Sequence, residues 1–272
     1  METALEVKAA RLRELLRSLG SAVVAFSGGA DSSLLLKLAQ SELGDRVLAV
    51  IATSATYPGK EMEEALRVAG LVGARCVVVE TGELSDARFA GNPPDRCYYC
   101  KLELFERLKL LAEQNSMAWV LDGSNADDLK DIRPGSRAAR EKGVRSPLQE
   151  VGLSKAEVRE LARLLGLPNW SKPAQACLAS RIPYGDAITV EKLRKVAAAE
   201  EVLQRIGFSQ VRVRTHGQVA RIEVPTTELD KLTPDRVRTQ VVKELKGLGF
   251  VFVCLDMEGY RTGSLNEPLK GE

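Results

Sequence analysis

The sequence predicts an α/β protein: an open parallel sheet with helices on both faces, followed by a smaller C-terminal α+β domain. Three observations carry this. Short apolar runs at 22–26, 46–53, 75–80 and 119–122 alternate with longer segments of helical period. The first run ends in Ser27-Gly28-Gly29-Ala30-Asp31-Ser32 and opens directly onto Leu34-Leu35-Leu36-Lys37-Leu38, a strand, a glycine turn and a helix in immediate succession. After Thr189 the texture changes to helix, two strands, helix and strand. The expected domains are 1–185 and 186–272, with the break in the irregular stretch 180–188.

Each element has a local reason. Leu5, Leu12, Leu15, Leu16 and Leu19 recur at helical intervals and Gly20 closes that helix. A second helix runs from Ser32 to Leu43 before Gly44. The run 47–53 is apolar throughout, as a strand covered on both faces would be. Pro58-Gly59 turns the chain into a helix over 61–71, and 75–80 is a third strand. Asn92-Pro93-Pro94 marks an irregular loop. The helix after Arg96 carries Leu104, Phe105, Leu108 and Leu111 on one face, and the strand 119–122 follows. Residues 129–150 read as loop, with a basic cluster at Arg137, Arg140, Lys142 and Arg145. Ser154 with Glu157 forms a capping box ahead of Leu161, Leu164 and Leu165, and Gly166 and Pro168 stop that helix.

Composition narrows the function. The chain has 272 residues, 44% of them hydrophobic, enough for two cores. It has no apolar run long enough to span a bilayer, and Met1-Glu2-Thr3-Ala4-Leu5-Glu6 is not a basic leader, so a cytoplasmic protein with no membrane partner is expected. The 39 basic and 37 acidic residues leave a net charge of +2, without the global field of a non-specific nucleic-acid binder. Five cysteines, an odd number without a secretory signal, argue against a disulfide framework and for thiols used as ligands or nucleophiles.

The glycine turn puts backbone N–H groups at a helix N-terminus, where a phosphate is stabilised. It lacks the G-x-x-x-x-G-K-[ST] lysine. It resembles the S-G-G-x-D-S loop of the ATP pyrophosphatases, which split ATP between its α and β phosphates and adenylate a substrate. Ser27, Gly28, Gly29, Asp31 and Ser32 are the candidate nucleotide contacts. Thr53-Ser54 ends the second strand on the ligand-binding side of a parallel sheet, as a candidate adenosine contact.

Cys97-x-x-Cys100 fits a redox pair, half a zinc site or part of an iron–sulfur site. Cys177 lies in a second irregular segment, 169–188, between Pro173 and Arg181. Cys76 and Cys254 lie in apolar strands and read as core thiols. In the last domain, period-two alternation sends Arg212, Arg214 and His216 to one strand face, a phosphate or carboxylate clamp if exposed, or a solvated face paired with Glu223. His216 alone reads as structural.

Five segments together carry a more specific resemblance: Ser27 to Ser32, Gly123-Ser124-Asn125-Ala126-Asp127-Asp128, Arg133-Pro134-Gly135, 172–185 around Cys177, and 259–266. They resemble the LarE family, PP-loop (HUP-like) ATP-dependent sulfur transferases that make the nickel-pincer cofactor of lactate racemase. The resemblance implies a pyridinium-3,5-biscarboxylic acid mononucleotide substrate, ATP with Mg²⁺ and a sulfide donor; a homo-oligomer is also expected, and the near-neutral charge argues against a nucleic-acid partner. The resemblance also implies that Gly123 lies at the nucleotide, that Asp31, or Asp127 and Asp128, hold Mg²⁺, and that Ser180, Arg181, Glu200, Arg212 and Arg214 contact the mononucleotide.

In single-cysteine members of that family the residue matching Cys177 gives up its own sulfur. This chain also carries Cys97 and Cys100, and so resembles members in which three cysteines hold a [4Fe-4S] cluster. Sacrificial donation from Cys177, a tRNA thiolation enzyme, and an amide-forming ligase of the NAD- or GMP-synthetase kind are the competing expectations. A nucleotide-sensing module is a further one, which would leave the cysteines and the arginines without a role.

Overall fold

A computed structural model describes residues 3–57, 59–130, 134–173 and 176–270. Pro58 of the expected turn, Arg133 of the Arg133-Pro134-Gly135 motif and Ala174-Gln175 ahead of Cys177 lie outside them. The chain forms two compact units, one of residues 1–89 with 94–175 and one of 90–93 with 176–272.

The first unit begins with α1 (Ala4–Leu19), capped by a Thr3/Glu6 box and closed by Gly20. Then follow β1 (Ala22–Ala25), α2 (Ala30–Leu43), β2 (Val47–Thr53), α3 (Gly59–Val72) and β3 (Arg75–Glu80). A short helix α4 (Ala87–Ala90) precedes α5 (Arg96–Gln114) and β4 (Trp119–Leu121). The four strands are all parallel in the order β3-β2-β1-β4. β1 and β2 are central, so their apolar runs are buried on both faces, and Leu34, Leu35 and Leu36 of α2 fill the layer above them. The expected parallel sheet between helical layers is what forms.

The stretch 129–150 is not all loop. It holds α6 (Pro134–Glu141) and α7 (Pro147–Glu150). Both open on proline, whose fixed φ suits a first helical position. The apolar face of α6 is only Ala138 and Ala139, both buried, so small side chains gave no hydrophobic period to read. α8 (Lys155–Leu164) forms with the predicted Ser154/Glu157 capping box.

The second unit contains α9 (Val190–Arg205), β5 (Arg212–His216), β6 (Val219–Glu223), α10 (Asp235–Gly247) and β7 (Phe252–Leu255). β5 pairs antiparallel with β6, and β7 pairs parallel to it. Leu203, Phe208, Val213, Val241 and Leu245 form its own core. Within it, buried Asn92 donates through Nδ2 to the carbonyls of Ile182, Pro183 and Asp186 and so fixes the 182–186 turn.

Two thiol expectations diverge. Cys76 packs half-buried against the first core, and burial raises its pKa. Cys254 is exposed rather than core. β7 is an edge strand of a three-stranded sheet, and its outward-facing positions Phe252 and Cys254 meet no covering layer among the described residues.

Glu157 serves twice, capping α8 and accepting from Lys8 at 2.7 Å. The Lys8 hydrogen bond holds its carboxyl below the usual range, with the bonds from Ser154 adding to this against partial burial. A depressed folded-state pKa stabilises above the unfolded carboxyl pKa, and that contribution is lost as pH falls through the folded one. Urea unfolding should therefore show Lys8→Met less stable than wild type at pH 7, with the gap closing as the solution is acidified below the carboxylate range. Ser154→Ala should cost about 1 kcal/mol at pH 7.

Candidate active site

The chain leaves β1 through Phe26 and Ser27 and reaches Gly28 at φ +70. A Cβ there would lie 2.7 Å from Ala65 Cβ and 2.9 Å from its Cα on α3. Glycine is demanded twice, by the left-handed backbone and by the contact. Gly29 is different. Its φ is −77, it is the N-cap of α2, and a Cβ would meet only Ser27 Oγ at 3.4 Å. No side chain caps α2, so its first-turn N–H groups are left for an anion.

Hydroxyls tie the turn together. Ser27 and Ser32 hydroxyls lie 3.2 Å apart, Ser32 Oγ donates to the Gly29 carbonyl, and Ser27 N donates to Ser32 Oγ. Tyr57 donates its hydroxyl to the Ser27 carbonyl at 2.8 Å. Burial, reinforced by Glu61 and Glu64, pushes its pKa up to about 12, so the phenol stays a donor.

Gly123 lies against this turn. A Cβ on it would be 2.9 Å from Ser32 N. Asp122 fixes it there, accepting from Ser124 N, Ser124 Oγ and Ser146 Oγ. The following residues build a second loop: Asn125 Nδ2 donates to Asp31 Oδ1 at 3.1 Å, Asp127 Oδ2 accepts from Lys155 N, and Asp128 Oδ2 accepts from Asn125 N. Lys155 Nζ pairs with Asp31 Oδ2. Asp31 therefore already holds a cation, whereas Asp127 and Asp128 each spend an oxygen on a backbone N–H.

At the end of β2, Thr56 and Ser54 both donate to Glu83 Oε1, and Glu83 is buried. Ser54, offered by the sequence as an adenosine contact, is thus held by a carboxylate. Lys172, in the segment before Cys177, is half-buried between Glu61 and Glu64 at 2.6 and 2.7 Å. Burial presses its pKa down, but these two hydrogen bonds outweigh it and raise it. Tyr57, Glu83, Lys155 and Asn169 were invisible in the sequence, because each acts through a partner remote in the chain.

Cys97 and Cys100 occupy the first turn of α5, the former exposed and the latter half-buried, and Arg137 stacks 3.7 Å over the intervening Tyr98. Cys177 is exposed in the second unit, ahead of a 3-10 turn. Among the described residues no group of three or more His, Cys, Asp or Glu is arranged to hold a metal ion.

In the second unit the arginines differ from the exposed clamp that alternation suggested. Arg212 and Arg214 are both buried, because 259–264 and 176–181 pack beside that face of β5. Arg214 grips Glu223 through Nε and Nη2 and also donates to Ser180 O and Ser264 Oγ. Arg181, 1% exposed, is bidentate to Glu200 at 2.7 and 2.8 Å, and its Nη1 donates to the carbonyls of Ala176 and Cys177 and to Ser180 Oγ. Glu200 also accepts from Val213 N. Arg212 makes no ion pair among the described residues. It donates to Val211 O and lies 5.4 Å from the Tyr260 ring. Burial, then Arg181 beside it, lowers its pKa. A buried guanidinium without a carboxylate partner has the charge and the donors to accept an anion. His216 is exposed.

A four-stranded parallel sheet with a glycine-turn phosphate loop at a helix N-terminus defines an ATP-using enzyme of the PP-loop pyrophosphatase class. The NAD synthase family profile matches residues 6–95. An uncharacterized protein of Synechocystis sp. is 45% identical over 97% of this chain and 99% of its own. The pyridinium-3,5-bisthiocarboxylic acid mononucleotide synthase of Lactiplantibacillus plantarum is 42% identical over 97% of this chain and 96% of its own. A glutamine-hydrolyzing GMP synthase of Aeropyrum pernix is 28% identical over 67% of this chain and 39% of its own. The chain belongs to the pyridinium-3,5-bisthiocarboxylic acid mononucleotide synthase family.

The two loop glycines separate by substitution. Gly28→Ala should cost several kcal/mol in stability, combining a left-handed alanine of about 1–2 kcal/mol with the Ala65 overlap. Gly29→Ala should fold with a melting temperature close to wild type yet bind ATP at least tenfold more weakly, as calorimetry would read.

Proposed function

We propose that the chain adenylates a carboxylate of pyridinium-3,5-biscarboxylic acid mononucleotide with ATP and converts it to a thiocarboxylate, in nickel-pincer cofactor synthesis for lactate racemase. The observation that carries the reading is family membership over the whole chain joined to an uncapped phosphate loop. The carboxylate is already a nucleophile at neutral pH. It attacks the α-phosphorus, the bond from that phosphorus to the bridging oxygen breaks, and pyrophosphate leaves. Chemistry of this kind needs charge neutralisation and alignment more than a general base.

Ser27, Gly28, Gly29 and Ser32 receive the leaving pyrophosphate, with Thr53 and Gly123 at the nucleotide. Asp31 is the fitting residue for Mg²⁺, since its carboxylate already accepts an ammonium. Asp127 and Asp128 act mainly by holding their loop. A sulfur nucleophile then attacks the acyl adenylate carbonyl and AMP leaves. In the second unit, residues 186–272 with Ser180 and Arg181 form the substrate-binding part. Arg212 takes the mononucleotide phosphate, Arg214 supports it, and Arg181 with Glu200 holds the backbone at Cys177.

Cys97 and Cys100, a helical turn apart on α5, would hold a [4Fe-4S] cluster together with Cys177, thiolate being the ligand such clusters take. When bound, such a cluster offers a further iron site to added sulfide. The protein is expected to act in the cytoplasm as a homo-oligomer, fed by a sulfide donor and independent of nucleic acid.

Pyrophosphate release should be stimulated by the pyridinium mononucleotide and not by tRNA, and Asp31→Asn should abolish it. Stimulation by tRNA alone, or ammonia replacing sulfide, would assign a different reaction. Anaerobic purification with iron and sulfide analysis should find a cluster. Iron-free protein that loses the mass of H₂S from Cys177 after one turnover would point to sacrificial donation. Arg212→Met should stay folded and raise the KM for the mononucleotide. Arg214→Met should instead lose about 1–3 kcal/mol of stability, because it leaves Glu223 with Arg221 alone and removes the donors to Ser180 O and Ser264 Oγ.

A further inference from the structure

Asn169 is 4% exposed, and its side chain reaches the phosphate loop. Nδ2 donates at 2.8 Å to the Gly28 carbonyl and at 2.8 Å to Ser33 Oγ, while Oδ1 is buried with no hydrogen-bond partner among the described residues. The orientation of the amide follows from this. Gly28 O can only accept, so the nitrogen must face it, and the buried oxygen is left unsatisfied. An unsatisfied buried oxygen costs stability; the residue is therefore placed for what its nitrogen does.

A trans peptide is planar, and its C=O and N–H point in opposite directions. Holding the Gly28 carbonyl toward Asn169 therefore aims the Gly29 N–H away from it, where it makes a long hydrogen bond to Ser27 Oγ at 3.4 Å that an anion would replace. A left-handed glycine is free to rotate this peptide, and no side chain of its own restrains it. Packing on Ala65 fixes the Cα of Gly28, not the plane of the peptide that follows. Asn169 supplies that restraint. Its own segment is anchored in turn, because Lys172 is held by Glu61 and Glu64 and its carbonyl accepts from Arg159.

We propose that Asn169 is a positioning residue that sets the Gly28–Gly29 peptide for the pyrophosphate group of ATP. This rests on reading the loop as the pyrophosphate site. The residue does not touch the reacting atoms. It acts on the ligand through one backbone N–H, so its effect is confined to the phosphates.

Calorimetry with inorganic pyrophosphate, ATP and adenosine on the full chain tests it. Asn169→Ala should weaken pyrophosphate and ATP at least tenfold and leave adenosine within twofold. Asn169→Asp should be worse for both phosphates, since it sets a carboxylate oxygen against the Gly28 carbonyl. Ser33→Ala removes the other acceptor of Nδ2 but keeps the Gly28 bond, and should leave pyrophosphate affinity within twofold at whatever cost to the melting temperature. Pyrophosphate binding to folded Asn169→Ala that equals wild type overturns the proposal, as does an equal loss for adenosine. If Asn169→Ala does not fold, a tenfold loss in Ser33→Ala overturns it. Wild-type protein that binds neither ATP nor pyrophosphate would overturn the functional reading instead.

Discussion

The first unit depends on one close approach. β1 must end, reverse into α2 and leave room for an anion in a few residues, and α3 crosses so near that Gly28 has no space for a side chain. That contact fixes where the turn lies relative to the sheet. Gly123 repeats the device from the other side, meeting Ser32 N at a distance no Cβ tolerates. The N-terminus of α2 is thus held between two glycines on different strands' ends. An enzyme that binds phosphate with backbone needs this, because backbone donors cannot adjust by rotamer as a lysine can.

The second unit solves a different problem, keeping guanidinium groups buried. Removing a charge from water costs several kcal/mol, offset only by good geometry with a partner. Arg181 and Arg214 meet that condition with bidentate carboxylates and backbone carbonyls. Replacing such pairs with apolar side chains is often neutral or stabilising, so stability alone does not explain them. Their positions do. Arg181 binds the carbonyls of Ala176 and Cys177, and Arg214 binds that of Ser180. The pairs spend their charge on shaping one peptide segment. Arg212, beside them, has no carboxylate partner among the described residues and donates instead to the Val211 carbonyl.

How much of this was legible in the sequence follows from what each residue acts on. Ser27 to Ser32 announced itself because strand, turn and helix are contiguous, and the Ser154/Glu157 box because capping is local. Alternation along β5 correctly put Arg212 and Arg214 on one face, but it cannot say whether that face is covered. The cover comes from 176–181 and 259–264, far away in the chain. α6 escaped because alanines carry its buried face. Cys254 reads as core in the sequence because an apolar run does not reveal whether its strand is central or an edge. Asn169 sits in a stretch that reads only as irregular, and nothing near it in sequence names Gly28 as its acceptor.

At Asp31 the loop and its charge meet in one atom pair. It lies in the first turn of α2, where the helix dipole favours a negative charge, and on the function proposed above this loop receives a still more negative ligand. Lys155 resolves the conflict, since its ammonium on Asp31 Oδ2 cancels the carboxylate that would repel the phosphates. Asn125 takes Oδ1, so both oxygens are directed rather than left to water. The backbone of Lys155 is tied to Asp127, which anchors the cation's own stem. The pair is a local neutralisation: opposite charges in contact at the head of α2 cancel much of the field that either would project alone.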